Sequence, residues 1–396
     1  MKEYKRVYAE VNLDSIAANM EAMKANLQPG TQMIGVVKTD GYGHGAVPVA
    51  QAIDPFVAGY AVASADEGIQ LRNHGIKKPI LILGVTHPSR YEELIIHEIC
   101  PAIFQYEKAR LLSETAVRLG KGAGLHLALD TGMGRIGMEP TVASADMVKE
   151  LSLLPGIVIE GMFTHFARAD ETDKGATKRQ YERYMGFAEL LEKRGVKIPV
   201  RHCDNSAGII DLPEMGLDMV RAGISIYGLY PSDEVDRESV VLTPALSLKS
   251  FITYIKTIRP GTAVSYGGTF VADKTMRVAT IPVGYGDGYP RNLSNRGEVL
   301  IRGQRARILG RVCMDQFMVD VTEIPEAAED DMVTLIGQDN DQRITVEDVA
   351  ARCGGFHYEL LCDIGKRVPR VYIKNGKVVG TKDYFDDIYQ DFKQAE

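Results

Sequence analysis

The sequence predicts an α/β fold, with an N-terminal eight-stranded parallel (β/α)8 barrel and a C-terminal mainly β domain. Between about residues 33 and 227, short apolar runs alternate with segments of helical period. Near-continuous apolar strands, each followed by a helix, are typical of a closed parallel sheet. After about residue 241, strand-like segments follow one another with only Gly, Pro and Asp turns between them, which indicates a separate β-rich domain.

Eight apolar runs have the length and composition of barrel strands. They are residues 34–38, 60–64, 80–85, 99–103, 125–130, 157–167, 200–206 and 219–225. Between them, helical spacing of apolar residues predicts helices, for example over residues 91–98, 106–119 and 177–194. An amphipathic segment at residues 13–27 opens the series, and we expect it to be a helix capped by Asp14.

We therefore divide the chain into a barrel domain at residues 1–241 and a β-rich domain at residues 242–396. The β-rich domain is predicted from five strand-forming segments, namely LSLKSFITYIKTI, RVATIPVGY, EVLIRGQRARILGRV, FMVDVT and DMVTLIG. The strand-like segment YAEVNL at residues 8–13 precedes the first helix. It is a candidate to pair with the β-rich domain instead of the barrel.

The composition excludes several classes of function. The 46 basic and 53 acidic residues give a formal net charge of −7, and no basic run is present, so we expect no nucleic-acid partner. The five cysteines are scattered without the spacing of a zinc site, so we expect no metal. No segment has the pattern of a signal peptide or a membrane span, so we expect no membrane contact and a cytoplasmic location.

Polar or Gly-rich segments follow five of the predicted barrel strands, at the end of the barrel where active sites form. The residues there are Lys38, Tyr42, Arg135, His165, Asn205, Ser206, Arg221, Gly223 and Ile224. Taken singly, each has an ordinary explanation: Lys38 as a solvated lysine, His165 as a hydrogen-bonded core histidine, Arg221 as half of an ion pair. Together they lie at one end of one predicted barrel, which indicates an active site.

This combination of residues suits pyridoxal phosphate. The cofactor requires a lysine for a Schiff base, a partner for its pyridine nitrogen, and N–H and hydroxyl donors for its phosphate. Barrel enzymes favour the loops after strands seven and eight for phosphate binding. The sequence contains no dinucleotide fingerprint, HExxH, Walker A or GxSxG motif that would indicate a competing chemistry.

Eight segments now stand out in order along the chain: VVKTDGYGHG, LDTGMGRIG, FTHFA, DNSAG, VRAGISIYG, SYGGTF, VGYGDGYPR and GRVCMDQFMVDVT. They resemble the successive signature segments of the alanine racemase family. The resemblance extends to VPRVY at residues 368–372 and so covers both predicted domains. It implies a pyridoxal-phosphate-dependent isomerase that interconverts L-alanine and D-alanine and supplies D-alanine for cell-wall peptidoglycan. A catabolic role and a wider substrate range both stay open.

The resemblance also implies a role for each site residue. Lys38 would hold the cofactor, and Arg221 would face its pyridine nitrogen and keep that nitrogen unprotonated, since arginine has no acceptor. Arg135 and the backbone of Met314 would contact the substrate carboxylate, and Tyr285 would gate the entrance. The remaining cofactor-binding residues would be Tyr42, Asn205, Ser206, Gly223, Ile224 and Tyr358.

Two bases and a homodimer follow from the same resemblance. Lys38 would remove the α-proton of the D-isomer, and Tyr266 would remove that of the L-isomer. A phenol titrates near 10, so the family uses a hydrogen-bonded chain from tyrosine through His165 to Arg221 to favour the phenolate. Tyr266 and Met314 would reach the site from the partner subunit, which makes the protein a dimer with composite sites.

One position departs from the family pattern. The family usually has a lysine, often carbamylated, two residues before the aspartate of LDTGMGR, and its negative charge positions the arginine. This chain has Ala128 there, so another group must satisfy the charge of Arg135, and we expect an anion such as chloride or an ordered water cluster. Two rival functions stay open: a pyridoxal-phosphate-dependent decarboxylase of a basic amino acid, and a non-catalytic protein that binds pyridoxal phosphate.

Overall fold

The computed structural model describes residues 3–385, which divide into two compact units. The barrel unit comprises Ser15–Gly41 and Ala46–Pro244. Within the described residues, the β unit comprises residues 3–14, Tyr42–Gly45 and residues 245–385. Within residues 3–385, no helix has the length and apolar character required to cross a membrane.

Strands and helices alternate in the barrel unit, as the apolar periodicity predicts. Its strands are β2 (Gln32–Val36), β3 (Gly59–Val62), β4 (Ile80–Ile82), β5 (Ile99–Ile103), β6 (Ala123–Ala128), β7 (Ile157–Phe163), β8 (Val200–His202) and β9 (Met219–Ala222). The helices up to the end of this unit are α1 (Leu13–Asn26), α2 (Lys38–Tyr42), α3 (Ala46–Ile53), α4 (Ala65–Asn73), α5 (Tyr91–Ile96), α6 (Tyr106–Leu119), α7 (Val142–Leu151), α8 (Gly175–Glu192) and α9 (Ser206–Asp211).

The eight strands form one parallel sheet in the order β8-β7-β6-β5-β4-β3-β2-β9. The two end strands approach each other, because the N–H of Asp218 donates to the carbonyl of Arg201 at 3.2 Å and that of Arg221 to the carbonyl of Asp204 at 3.0 Å. The sheet is therefore a nearly closed barrel, and the predicted fold class is confirmed. Strands β3, β4 and β5 are buried throughout, as expected for a sheet covered by helices.

Most of the predicted strands continue too far at their carboxyl ends. Seven of the eight end two to four residues earlier in the structure. The extra residues mix apolar and polar side chains, and they lie beyond the strand ladder in the segments that carry the candidate site. The predicted cap of the first helix is also wrong: the Asn12 side chain accepts the N–H of Asp14 at 2.9 Å, so Asn12 is the capping residue, and Asp14 lies inside α1.

The β unit contains one large sheet and a two-stranded ribbon. Its strands are β1 (Val7–Asn12), β10 (Leu246–Phe251), β11 (Tyr254–Ile258), β12 (Ala263–Val264), β13 (Phe270–Val271), β14 (Met276–Ile281), β15 (Glu298–Ile301), β16 (Gln304–Leu309), β17 (Phe317–Asp320), β18 (Met332–Asp339), β19 (Gln342–Ile344), β20 (Arg370–Lys374) and β21 (Lys377–Lys382). Its helices are α10 (Val346–Cys353) and α11 (His357–Asp363). Strand β1 lies between β10, to which it is antiparallel, and β20, to which it is parallel.

Candidate active site

Lys38 lies just beyond the carboxyl end of β2, on a left-handed turn. The φ angles of Thr39, Asp40 and Gly41 are 53°, 49° and 63°. Left-handed helical backbone costs about 1–2 kcal/mol for each residue with a Cβ, so other contacts must hold this turn. Lys38 itself is half-buried.

Two carboxylates hold the turn through backbone N–H groups. Glu67 accepts the N–H of Thr39 and that of Ala63, both at 2.7 Å. Asp40 accepts the N–H of Ala46 at 2.8 Å. Glu67 is not among the residues predicted from the sequence, although Ser64 and Glu67 have the spacing of a capping box at the start of α4. The Ser64 side chain does accept the N–H of Glu67, but the Glu67 carboxylate binds the loop after β2 and the end of β3 instead of the N–H of Ser64.

Arg221 is buried at the end of β9, with 2% of its surface exposed. Its two terminal nitrogens donate to five acceptors: the carbonyls of Thr164 (2.7 Å), His202 (3.3 Å) and Cys203 (2.7 Å), and Nδ1 of His202 (2.9 Å) and of His165 (3.3 Å). The third donor nitrogen, Nε, has no acceptor among residues 3–385. The guanidinium is thus fixed in orientation, with one N–H left for another group.

The contacts of Arg221 determine the tautomers of three histidines. Arginine has donors only, so Nδ1 of His165 and Nδ1 of His202 must accept. A neutral His202 then carries its proton on Nε2, which lies 2.9 Å from Nδ1 of His126. Nδ1 of His126 accepts this hydrogen bond, so a neutral His126 carries its own proton on Nε2. The result is a directional chain of donors from Arg221 through His202 to His126.

Burial keeps these histidines neutral. Burial first and the charge of Arg221 second lower the pKa of His126 to about 4 and that of His165 to about 3. Burial and Arg221 also lower the pKa of His202 well below its usual range. His165 therefore presents an N–H on Nε2 at neutral pH.

Ser206 and the start of the loop after β9 form a compact set of donors. The Ser206 hydroxyl oxygen accepts the N–H of Gly223 at 3.0 Å and that of Ser225 at 3.3 Å, so its own hydrogen is left to donate. The N–H of Ile224 begins a 3₁₀ turn and has no acceptor within that turn. Asn205 caps α9 by accepting the N–H groups of Ala207 and Gly208, and it positions Ser206 through the backbone.

Arg135 lies on the Gly-rich turn after β6 and is exposed. Asp130 shapes this turn, because one of its carboxylate oxygens accepts the N–H groups of Gly132, Met133 and Gly134 at 2.9–3.0 Å. Burial alone would raise the pKa of Asp130, but these N–H donors lower it. No carboxylate among residues 3–385 lies within salt-bridge distance of Arg135.

Ala128 is buried in an apolar cluster at the end of β6. The cluster contains Ala102 and Phe163, with Leu83 and Phe104 packed against it. Apolar side chains therefore surround the position where the family usually has a lysine.

In the β unit, Tyr266 projects from a strained turn. Ser265, directly before it, has φ 66° and ψ −177°, a region that residues with side chains rarely adopt and that costs about 1–3 kcal/mol. The Ser265 hydroxyl donates to the carbonyl of Arg311 at 2.6 Å and lies 3.4 Å from the sulfur of Cys313. The Tyr266 side chain is 70% exposed.

Tyr285 and Met314 lie on two loops that are joined by backbone hydrogen bonds. The N–H of Tyr285 donates to the carbonyl of Cys313 at 3.1 Å, and that of Gly286 to the carbonyl of Met314 at 2.9 Å. The two side chains are 43% and 52% exposed. Because Ser265 contacts the segment that contains Cys313, the three exposed side chains of Tyr266, Tyr285 and Met314 come from connected loops of the β unit.

Tyr42 and Tyr358 lie together elsewhere in the β unit. Their ring centroids are 6.2 Å apart at an angle of 56°, and Phe356 stacks on Tyr358 at 4.6 Å. Burial raises the pKa of Tyr42, so its hydroxyl is a donor at neutral pH. The structure thus places the sequence-predicted residues in three groups: one at the end of the barrel, one on the connected loops, and this tyrosine pair.

Comparison with known proteins decides the family. Residues 11–231 match the model of the alanine racemase N-terminal domain, and residues 245–372 match that of the C-terminal domain. The chain is 44% identical to an alanine racemase of Clostridium tetani over 385 residues, which cover 97% of this chain and 99% of the relative. This chain belongs to the alanine racemase family.

Solved structures agree with this assignment. An alanine racemase of Clostridium difficile is 40% identical, with a TM-score of 0.93 over 97% of this chain and 100% of that one. An alanine racemase of Bacillus anthracis with bound L-Ala-P is 35% identical, with a TM-score of 0.91 over 98% of this chain and 100% of that one. The sequence predictions of family, enzyme class and cofactor are confirmed: the chain is a pyridoxal-phosphate-dependent isomerase that acts on alanine.

The barrel residues fit this cofactor on structural grounds. Lys38 places an amine just beyond the carboxyl end of β2, where the cofactor would need one. Arg221 holds one N–H on Nε that no described residue accepts, as a partner for a pyridine nitrogen requires. The free hydrogen of Ser206 and the N–H of Ile224 are donors of the kind that phosphate oxygens accept.

Proposed function

We propose that this chain racemises alanine with two bases, Lys38 and Tyr266, at a site that two subunits complete. The orientation of Arg221 carries the proposal. When bound, pyridoxal phosphate supplies the electron sink for the pair of electrons that α-proton removal leaves. Arg221 can donate to the ring nitrogen but cannot give up its proton, so the sink is weak. A weak sink favours return of the proton to the α-carbon over side reactions.

His165 connects Arg221 to the second base. Its Nδ1 accepts from Arg221 at 3.3 Å, so its Nε2–H is left to donate to a phenolate oxygen. We propose that this oxygen belongs to Tyr266 of the partner subunit. A hydrogen bond to the charged form lowers the pKa of a phenol, and Lys38 holds or removes the proton on the opposite face of the α-carbon.

The other predicted residues bind the cofactor and the substrate. We propose that Ser206, the backbone of Gly223 and Ile224, Tyr42 and Tyr358 bind the phosphate, while Asn205 supports Ser206 through the cap of α9. Arg135 binds the substrate carboxylate with the backbone of Met314 of the partner subunit. Tyr285 controls access.

The exposed loops of the β unit support a homodimer. Tyr266, Tyr285 and Met314 leave large apolar surfaces in contact with solvent in the single chain, and such patches mark sites of association. Cys100, Cys203, Cys313 and Cys353 form no disulfide bond, which supports a location in the reducing cytoplasm. There the chain would supply D-alanine for peptidoglycan.

A panel of amino acids tests the proposal. Both enantiomers of alanine, serine and lysine are offered to the holoprotein, and loss of optical rotation and release of CO₂ are measured. We expect racemisation of alanine in both directions, slower racemisation of serine, and no CO₂. Release of CO₂ from lysine would instead support the decarboxylase, and a yellow protein without either activity would support a non-catalytic cofactor-binding protein.

A further inference from the structure

The barrel contains a second cluster of chemically active side chains, separate from the candidate active site. Cys100, His126 and Glu160 each offer one ligand atom, and these atoms all lie within 4.8 Å of one another. The three residues come from β5, β6 and β7, which are adjacent strands of the sheet. Their wide spacing in the chain explains why the sequence indicated no metal site.

Two glycines make room for this cluster. A Cβ on Gly124 would lie 2.1 Å from a carboxylate oxygen of Glu160, and a Cβ on Gly161 would lie 2.5 Å from the His126 ring. Only residues without side chains leave this space at these two strand positions. The carboxylate and the imidazole therefore occupy volumes that ordinary strand residues would fill.

The cluster is open on one side. A cavity of about 310 Å³ is lined by Cys100 and Glu160, together with Gly124, Arg72 and Glu98. The Arg72 guanidinium donates to the carbonyls of Ile76, Lys78, His97 and Glu98, so all three of its nitrogens are engaged with backbone oxygens. The cavity provides an entry path and space for a water ligand.

We propose that Cys100, His126 and Glu160 form a binding site for a borderline-soft divalent cation such as Zn²⁺. Thiolate, imidazole and carboxylate are the three ligand types that Zn²⁺ takes in proteins, at about 2.0–2.3 Å. Tetrahedral bonds of that length place ligand atoms about 3.3–3.8 Å apart, so rotations that move side-chain atoms by about 1 Å close the cluster around the ion. Cys100 ionises on binding, and its proton leaves to solvent. Water from the cavity supplies the fourth ligand.

The site is connected to Arg221 through the chain of histidines. In the metal-free protein, His126 carries its proton on Nε2, since its Nδ1 accepts from His202. Because Nδ1 of His126 faces His202 at 2.9 Å, Nε2 is the nitrogen left for the metal, and binding there moves the His126 proton to Nδ1. His202 must then accept at Nε2 and carry its proton on Nδ1, where it faces an N–H of Arg221. Two donors now oppose each other across the 2.9 Å contact, so the hydrogen bond from Arg221 to Nδ1 of His202 is lost, whereas that to the His202 carbonyl stays.

Binding of the cation therefore weakens the support of Arg221. This coupling rests on the proposed role of Arg221 in racemisation, whereas the metal site itself does not. His202 and His126 act on the reaction only as positioning residues.

Cobalt and zinc test the site in the holoprotein. Co²⁺ is titrated in phosphate-free buffer, and the thiolate-to-cobalt charge-transfer band is recorded as a difference spectrum, while Zn²⁺ stoichiometry is measured by calorimetry. We expect one ion per chain. Cys100→Ser should abolish the band, and Glu160→Gln should weaken binding by at least about tenfold. Cys353→Ser, at another free and partly buried cysteine, is the matched control and should keep the band and the stoichiometry.

The outcomes separate the site from the coupling. No band in the native protein, or a band that persists in Cys100→Ser, would overturn the site. If Cys100→Ser proves poorly folded by thermal unfolding, Glu160→Gln decides, because Glu160 is exposed, and unchanged binding in that variant overturns the proposal. Zn²⁺ should lower the kcat of the native enzyme by about tenfold and leave that of Cys100→Ser unchanged. Binding without this loss would overturn the coupling alone, and the racemase proposal is tested independently by activity without metal.

Discussion

The two groups of proposed catalytic residues are held in different ways. Arg221, at the end of the barrel, is 2% exposed and is fixed by five acceptors from three neighbouring residues and His165. Tyr266, in the β unit, is 70% exposed and is presented by a strained backbone rather than by side-chain packing. The barrel thus preorganises its own residues, whereas the loops of the β unit provide residues whose environment another surface must complete. Predictions for each group test this difference.

The largest effect is expected from the barrel group. Lys38→Ala removes the amine that we propose holds the cofactor, which is also one of the two proposed bases. We expect racemisation to fall by more than about 10⁴-fold, beyond the usual contribution of one acid–base group. Borohydride reduction of the native holoprotein followed by peptide mapping should place the cofactor on Lys38. Recovery of the reduced cofactor on another lysine would show that the barrel group is wrongly assigned.

The exposed group should produce a loss that depends on the enantiomer. Tyr266→Phe removes the phenol and leaves the ring, so cofactor binding should persist while racemisation falls by about 10²–10⁴-fold. Single-turnover deuterium exchange should show that α-proton loss from L-alanine is impaired far more than that from D-alanine. Tyr254→Phe, at another exposed tyrosine of the β unit, serves as control. Equal loss of exchange from both enantiomers would favour a single base.

A buried carboxyl near the barrel group should destabilise the fold in a pH-dependent way. Asp204 is fully buried, and neither of its oxygens has a partner among residues 3–385. Burial raises its pKa to about 8, although Arg221 opposes the rise. The folded state then binds more protons than the unfolded state, so this group's contribution to stability falls as the pH rises from about 4 to 8.

Asp204→Asn should remove the loss of stability that ionisation of Asp204 causes as the pH rises. At pH 7 the free energy of unfolding should rise by up to about 4 kcal/mol, and the gain should shrink towards pH 4. Denaturant unfolding at several pH values measures it. Asp233→Asn, at an exposed carboxylate, is the control for the loss of a surface charge. A gain from Asp204→Asn that is independent of pH would show that the carboxyl titrates normally.

The sequence predicted the strands of the barrel better than it predicted the side-chain contacts between them. Apolar periodicity identified all eight strands, and the strand-end rule located Lys38, His165 and Arg221, because both depend on local sequence. Neither Glu67 nor the cluster of Cys100, His126 and Glu160 was predicted from the sequence, because these residues come together only across different strands. The role of Tyr266 came from family resemblance alone, because its segment has no periodic pattern that indicates chemistry.

Mixing two inactive variants tests whether the exposed group serves another subunit. Lys38→Ala and Tyr266→Phe chains are combined and allowed to exchange. Half of the dimers formed at random are heterodimers, and one of their two sites has both native residues, so about a quarter of the native activity should return. Mass spectrometry verifies the exchange. No activity in verified heterodimers would place both bases on one chain and would contradict the proposal that Tyr266 completes the site of the partner subunit.

The smallest effect concerns Arg135, which belongs to the barrel unit but resembles the exposed group. It has no carboxylate within salt-bridge distance among the described residues, and Ala128, where the family usually has a lysine, is packed among apolar side chains. Substrate binding and subunit association would remove this guanidinium from water, and an unpaired charge is then costly unless an anion accompanies it. We therefore expect chloride, at constant ionic strength, to raise kcat/KM for alanine by a few-fold, which is the order of one charge-assisted hydrogen bond.

The controls are two other anions. Gluconate has the same charge but is too large to bind beside Arg135 in place of chloride, and bicarbonate should have no effect. Arg135→Lys, which keeps the charge but loses the planar fork, should reduce the response to chloride. Equal activity in chloride and gluconate would show that solvent alone satisfies Arg135.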